Sequence, residues 1–230
     1  MMKDQQLFDF TLMLADSSLI MSQRLSEWNG HGPDLEMDIA LTNITLDLLG
    51  QARFLYQFAA TLKDKDGSEM PATEDTLAYL RDAHEFKNVL LAELPNDHWG
   101  YTIMKLFFFV HWQEQVYNRL VYAKEKALAA IAEKSLKETA YHIRWTDTWV
   151  KRLGDGTQES HAKMESALVD LWPYTGELFE PAPYEENIFE KEHAVLFDEM
   201  NSGWQQKVLA VIKEATLTIP DPNTWMQTGG

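Results

Sequence analysis

Apolar residues recur at helical spacing along most of the chain, and glycine, proline and asparagine mark the breaks between the periodic stretches. Gln5 to Trp28 is helix-length, with Leu7, Phe10, Leu14, Leu25 and Trp28 among its apolar positions, and Asn29-Gly-His-Gly-Pro33 stops it. Asp34 to Lys63 follows as a second long helix, with acidic residues in its first turn to suit the helix dipole. So short a connection makes the two helices antiparallel neighbours. Lys63 to Thr73, charged and containing Gly67 and Pro71, reads as a surface loop. Glu74 to Glu93 reads as a third helix ending at Pro95-Asn96-Asp97, and Trp99 to Ala123 as a long aromatic fourth. Ala127 to Leu153 is a fifth, closed by Gly154-Asp155-Gly156. Glu159 to Leu178 is a sixth, bent or ended near Pro173, where a backbone donor is missing. Glu180 to Tyr184 is an extended connection, Glu185 to Ala215 holds one or two short helices around Ser202-Gly203, and Thr216 to Gly230 is an irregular tail. No stretch alternates with the period of a strand, and none repeats at a solenoid period. The pattern predicts one all-α domain over residues 1–230.

The second helix organises the rest. At 100° per residue, Asn43, Asp47, Gly50, Gln51 and Phe54 share a stripe, Ile44, Leu48, Leu55, Ala59 and Leu62 a second, and Ile39 and Leu46 a third. A helix apolar on several sides is expected to be central, with its polar stripe turned inward. In a ferritin-like four-helix bundle with additional helices, an inward polar stripe is where a di-metal centre is built, from two isolated Glu and two Glu-x-x-His pairs. The matching positions in chain order are Asp16, Asp47, Glu114 and Glu138. The order of carboxylates fits, but the residues three after Asp47 and Glu138 are Gly50 and Tyr141, so both imidazoles are absent from their places. His142 shares a stripe with Glu138, Trp145 and Trp149, and His111 a face with Glu114 and Asn118.

Three readings fit these groups. On the first they are polar core residues tied by hydrogen bonds and ion pairs, for instance with Arg24, Arg53 or Arg144, because a buried charge without a partner is costly. Alternatively Asp47, His111, Glu114, Glu138 and His142 form a rearranged metal site in a self-contained enzyme, or the chain is a homo-oligomeric helical scaffold. The aromatic stripe Phe107, Phe108, Trp112 and Tyr117 suits a core or a subunit interface. Glu85, Lys87 and Asn88, one turn after Arg81, are either contacts for an anionic ligand or a solvated charged face.

Composition narrows the field. A formal net charge of −16 over 230 residues disfavours nucleic acid and anionic membranes as partners. The absence of cysteine excludes disulfides and thiolate-ligated zinc or iron–sulfur sites. Met-Met-Lys-Asp-Gln-Gln lacks the apolar core of a signal peptide, and the apolar run Leu106 to Val110 is too short to span a bilayer, so a cytoplasmic location is expected. No Gly-rich phosphate loop or nucleophile motif is present; Gly30 and Gly32 are separated by His31 and followed by proline.

Longer stretches carry a resemblance. They are Ser22-Gln-Arg-Leu25 with Glu27-Trp28, Gly30-His31 and Pro33; Asp47-Leu-Leu-Gly-Gln-Ala-Arg53; Arg81-Asp82 with Phe86 and Asn88; and Glu93 with Pro95-Asn96. Lys137-Glu138 with Tyr141-His142-x-Arg144, Arg152-Leu-Gly-Asp-Gly-Thr157, Glu177-Leu178-Phe179 and Glu214-Ala-Thr-Leu217 complete the set. In these the sequence resembles the C-type, structural subunits of multicomponent phenylacetyl-CoA ring epoxidases. The resemblance implies a ferritin-like bundle that has lost its metal centre, with no cofactor of its own. It also implies a homologous partner that keeps the di-iron site and epoxidises phenylacetyl-CoA with electrons from an NADPH-dependent reductase. This chain would be the scaffold half of a pseudo-symmetric heterodimer, with Glu85, Phe86, Lys87 and Asn88 at the coenzyme A edge. Relatives of this kind continue past a Thr-Gly-Gly such as Thr228-Gly229-Gly230 with a further His- and Glu-containing segment.

Overall fold

A computed structural model describes residues 2–64, 72–182, 184, 193–221 and 224–227. Helices α1 (Met2–Ser26) and α2 (Leu35–Asp64) form one antiparallel pair, and α5 (Trp99–Leu120) and α6 (Lys126–Gly154) a second. α2 meets α6, which joins the pairs into a ferritin-like four-helix bundle. Between them in sequence lie the short helices α3 (Glu74–Tyr79) and α4 (Leu90–Glu93), while α7 (Gln158–Leu171) and α8 (His193–Glu214) pack outside α5 and α6. Among the described residues there is no strand, and no helix is long and apolar enough to cross a membrane.

The turn between α1 and α2 is built by glycine and aspartate. Gly30 adopts φ +78°, a left-handed conformation that side chains disfavour, and its N–H donates to Asp38 Oδ1 at 2.9 Å. Asp34 Oδ1 accepts from Met37 N–H at 2.7 Å and so satisfies an otherwise unpaired donor in the first turn.

Two expectations about helices change. Glu74 to Glu93 is not one helix: α3 is followed by a 3-10 turn at Ala83–Glu85, an extended stretch and then α4. The backbone N–H groups of Lys87, Val89 and Leu90 donate to Asp16 Oδ2 (2.8 Å), Ser17 Oγ (3.1 Å) and Glu177 Oε2 (3.0 Å). Side chains elsewhere therefore take the bonds that a continuous helix would have closed on itself. Conversely, Ser202-Gly203 does not interrupt α8, which runs unbroken to Glu214. A Cβ at Gly203 would come within 2.9 Å of Gln115 Oε1, so the glycine serves close approach to α5 rather than a turn. α7 does stop just before Pro173 and gives way to 3-10 turns. Residues 65–71 of the expected loop, 185–192 of the expected short helices, and 222–223 and 228–230 of the expected tail lie outside the described residues.

The central helix is α5, not α2. Every residue from Thr102 to Gln113 is buried, because α4, α6, α7 and α8 all pack on α5. Phe107, Phe108, Trp112 and Tyr117 are core residues. On α2, Ile44, Leu48, Leu55, Ala59 and Leu62 are buried as expected, but the third sector is exposed, with Leu46 at 58%. The polar stripe lies at the helix edge: Gln51 is buried, Asp47 and Gly50 are half-buried, and Asn43 and Phe54 are exposed.

Candidate functional site

One polar group or more from each bundle helix reaches the centre: Ser18 from α1, Gln51 from α2, Gln113 and Tyr117 from α5, and Ser135 and Glu138 from α6. Gln113 Nε2 donates to Ser18 Oγ at 3.3 Å and to Gln51 Oε1 at 3.4 Å. The Tyr117 hydroxyl donates to Gln51 Oε1 at 3.2 Å, and Gln51 Nε2 donates to Glu138 Oε2 at 3.0 Å. Burial raises the Tyr117 phenol well above its ordinary pKa, against hydrogen bonding from Ser18 and with the support of the Glu138 charge. The phenol is thus neutral at any physiological pH. Gln113 Oε1 and Thr139 Oγ1 are buried without a hydrogen-bond partner.

A di-iron centre needs four carboxylates to balance its charge and two imidazoles to complete the ligand set. The bundle centre offers amides, hydroxyls and a single carboxylate that already accepts from Gln51. These residues do not fit that metal pair. Among the described residues, no group of three or more His, Cys, Asp and Glu could hold a metal ion.

The positions picked out by spacing do not converge. Asp16 is fully buried but points away from the centre: it accepts from Tyr56 Oη at 2.5 Å, from Arg81 Nη1 at 3.0 Å, from Arg81 Nη2 and from Lys87 N–H. Its cationic partner is Arg81, while Arg24 binds Glu27 and Arg53 binds Glu74. Asp47 accepts from His142 Nε2 at 3.0 Å, across the α2–α6 contact. Glu114 is paired with Lys207 of α8 at 2.5 Å. His111 bonds Asp147 at 2.9 Å through Nε2. In both His111 and His142 the Nδ1 atom is buried without a hydrogen-bond partner. Tyr141 is exposed, and a Cβ at Gly50 would meet nothing within 4 Å. Side chains at these two places look outward, so histidines there would not reach the bundle centre.

Glu85, Phe86, Lys87 and Asn88 line a cleft of about 710 Å³ together with Trp112 and Glu177. Their polar groups are already engaged. The Glu85 carboxylate caps the N–H of Asp82 at 2.7 Å, Asn88 Nδ2 donates to Glu93 at 3.0 Å, and Lys87 Nζ lies 3.5 Å from Asp9 and over the Tyr184 ring. The Phe86 ring sits against the Arg81 guanidinium at 4.3 Å. Burial pushes Glu177 up to about 7, the Leu90 amide opposing the shift and the charges of Glu93 and Glu180 adding to it. With Glu85, Glu93, Glu177 and Glu180 in its wall, the cleft repels anions more than it attracts them.

Gln51 and Tyr117 stand on stripes visible in the sequence, but Ser18, Gln113 and Ser135 do not announce themselves. A serine in an apolar helix or a glutamine between a tryptophan and a glutamate has no distinctive period. The usable signal is that α6 reads Ala132, Ser135, Thr139, His142 and Thr146 at the spacing of one face, and that face is the buried one. Residues 1–230 match the family described as phenylacetic acid catabolic protein. The chain is similar to the C-type subunit of the 1,2-phenylacetyl-CoA epoxidase of Escherichia coli (strain K12), with 42% identity over 225 residues, 98% of this chain and 88% of that protein.

Proposed function

The chain belongs to the phenylacetic acid catabolic protein family, and from that premise we propose that it is the structural, non-catalytic subunit of an epoxidase acting on the ring of phenylacetyl-CoA. It pairs with a homologous subunit that carries the di-iron centre and receives electrons through an NADPH-dependent reductase. The observation that supports this reading is the bundle centre itself: the helices meet on Gln51, Gln113, Tyr117 and Ser18, a hydrogen-bonded set without the charge to hold two irons. On this reading the polar centre keeps the four helices in register for the partner's oxygen chemistry.

The Glu85–Asn88 segment has a structural role in the same proposal. The Lys87 backbone N–H closes the fold on Asp16 and its ammonium on Asp9, and any acyl-CoA in the cleft would lie against its apolar wall rather than offer phosphates to its carboxylates. The test is iron content and phenylacetyl-CoA consumption, measured on the purified chain and on its complex with the partner. Iron far below stoichiometry and no turnover in the chain alone, with both present in the complex, is the expected result. About two irons per isolated chain, with an absorption band that bleaches on chelation, would overturn it.

A further inference from the structure

α2 and α6 run side by side and antiparallel, as the pairs Asp47–His142, Gln51–Glu138 and Phe54–Lys134 establish. Their shared outer face is apolar where a lone bundle should be polar. Leu35, Ile39, Leu46, Leu49 and Phe54 on α2 and Tyr141 on α6 are six of the twelve large hydrophobic residues exposed on the described surface. None of them belongs to the buried core. At the helical rotation per residue, the five on α2 fall within a sector of roughly 140°, a ridge of the kind that packs against another helix.

The charge of α6 is opposite to that of the molecule. α6 carries six cations, Lys126, Lys134, Lys137, Arg144, Lys151 and Arg152, against three carboxylates, although the whole chain has a net charge of −16. Lys134, Lys137, Tyr141 and Arg144 lie along one exposed stripe beside the α2 ridge. Among the described residues, Lys137 and Arg144 have no carboxylate partner, and Lys134 is spent on the Phe54 ring at 4.0 Å. The nearby carboxylates Asp47 and Glu138 are turned to His142 and Gln51, and exposed Glu133, one turn before Lys137, is a carboxylate that remains among these cations.

The geometry points to the α2–α6 face as the docking surface for a different folded protein chain, whose own apolar helices are rimmed with Asp and Glu. Resting on the pairing proposed above, this occupant is the homologous iron-bearing subunit. A second copy is disfavoured, because a two-fold dimer centred on this stripe would bring a second set of Lys134, Lys137 and Arg144 close to the first. A partner with carboxylates at those places gains steering and register, while Leu46, Leu49 and Tyr141 supply the apolar centre.

The test is sedimentation of the full chain with the iron-bearing subunit at low and high salt. Leu46→Asp should weaken pairing by about tenfold or more. The double variant Lys137→Glu, Arg144→Glu should weaken it by about tenfold at low salt, with a smaller difference at high salt. Val169→Asp, at an exposed position of α7, should leave pairing unchanged. Each isolated variant should melt like the parent, because these side chains lie outside the core; if Leu46→Asp does not, Leu49→Gln replaces it. Wild-type pairing in all α2 and α6 variants would overturn this assignment and leave the proposed pairing intact. Self-association of the isolated chain that Leu46→Asp abolishes would assign the face to a second copy and overturn it too. If the parent chain fails to pair at all, the proposed function falls and the docking surface with it.

Discussion

Asp16 accepts from Tyr56, twice from Arg81 and once from the Lys87 amide while wholly cut off from water. Burial works against the Arg81 charge, but hydrogen bonding and attraction from Asp16 outweigh it and raise the guanidinium pKa. Asp16→Asn leaves that cation in place without its counter-charge, so unfolding by urea should show a loss of about 3–5 kcal/mol. Lys105 presents the opposite case: it is buried, and its Nζ donates to Leu94 O at 2.6 Å and Asn96 Oδ1 at 2.9 Å. Two acceptors match the two N–H groups of a neutral amine. Burial, aided by the Arg24 charge, pushes its pKa down to about 7 from an ordinary 10.5. Between those values the unfolded chain holds a proton that the folded chain has released, so this group makes stability rise with pH from about 7 to 10.5. Glu177 lies at about 7 when folded against 4.5 ordinarily, so the folded chain holds the extra proton and stability falls as pH rises from 4.5 to about 7. Urea midpoints measured across pH for Lys105→Met and Glu177→Gln should each lose one of these limbs and keep the other.

At the scale of elements, the end of α6 is fitted to the end of α8: a Cβ on Gly154 would fall 2.5 Å from Ala215 O and 2.8 Å from Ala215 Cβ. Gly154→Ala must therefore push the two helices apart, and a thermal or urea melt should register a loss of about 1–3 kcal/mol. Gly154 was readable in sequence as a helix stop, and so were the long helices, because their caps and apolar periods are local properties. The break in Glu74 to Glu93 was not readable. Its cause is Asp16 and Ser17, some seventy residues away in the chain and visible only once α1 is in place. The polar stripe of α2 misleads for a related reason. Periodicity fixes which residues share a face, but which face is covered depends on α6, and α6 buries Ser135, Thr139, His142 and Thr146 where apolar residues would have signalled the contact.

Taken whole, the molecule keeps most of its aromatic mass inside, around α5, and presents on α6 exposed cations of which Lys137 and Arg144 have no carboxylate partner among the described residues. The candidate centre and the cleft are separate places in this plan, and they predict different mutational behaviour in the complex. Lys87→Ala, which removes a contact with Asp9 and with the Tyr184 ring, should lower the melting temperature of the isolated chain. On the proposed pairing, the KM of the assembled enzyme for phenylacetyl-CoA should change by less than about twofold, because that proposal places no phosphate at this lysine. The knot at Asp16 has a kinetic consequence as well. Lys87 and Val89 lie in no helix, yet their amides donate to side chains of α1 in the interior. They cannot exchange with solvent unless the segment lifts off α1. Hydrogen–deuterium exchange should therefore show these two amides protected like those of a core helix, opening together with α1 and α2. In refolding they should become protected after the α1–α2 hairpin, since their acceptors must be ordered before the loop can close upon them.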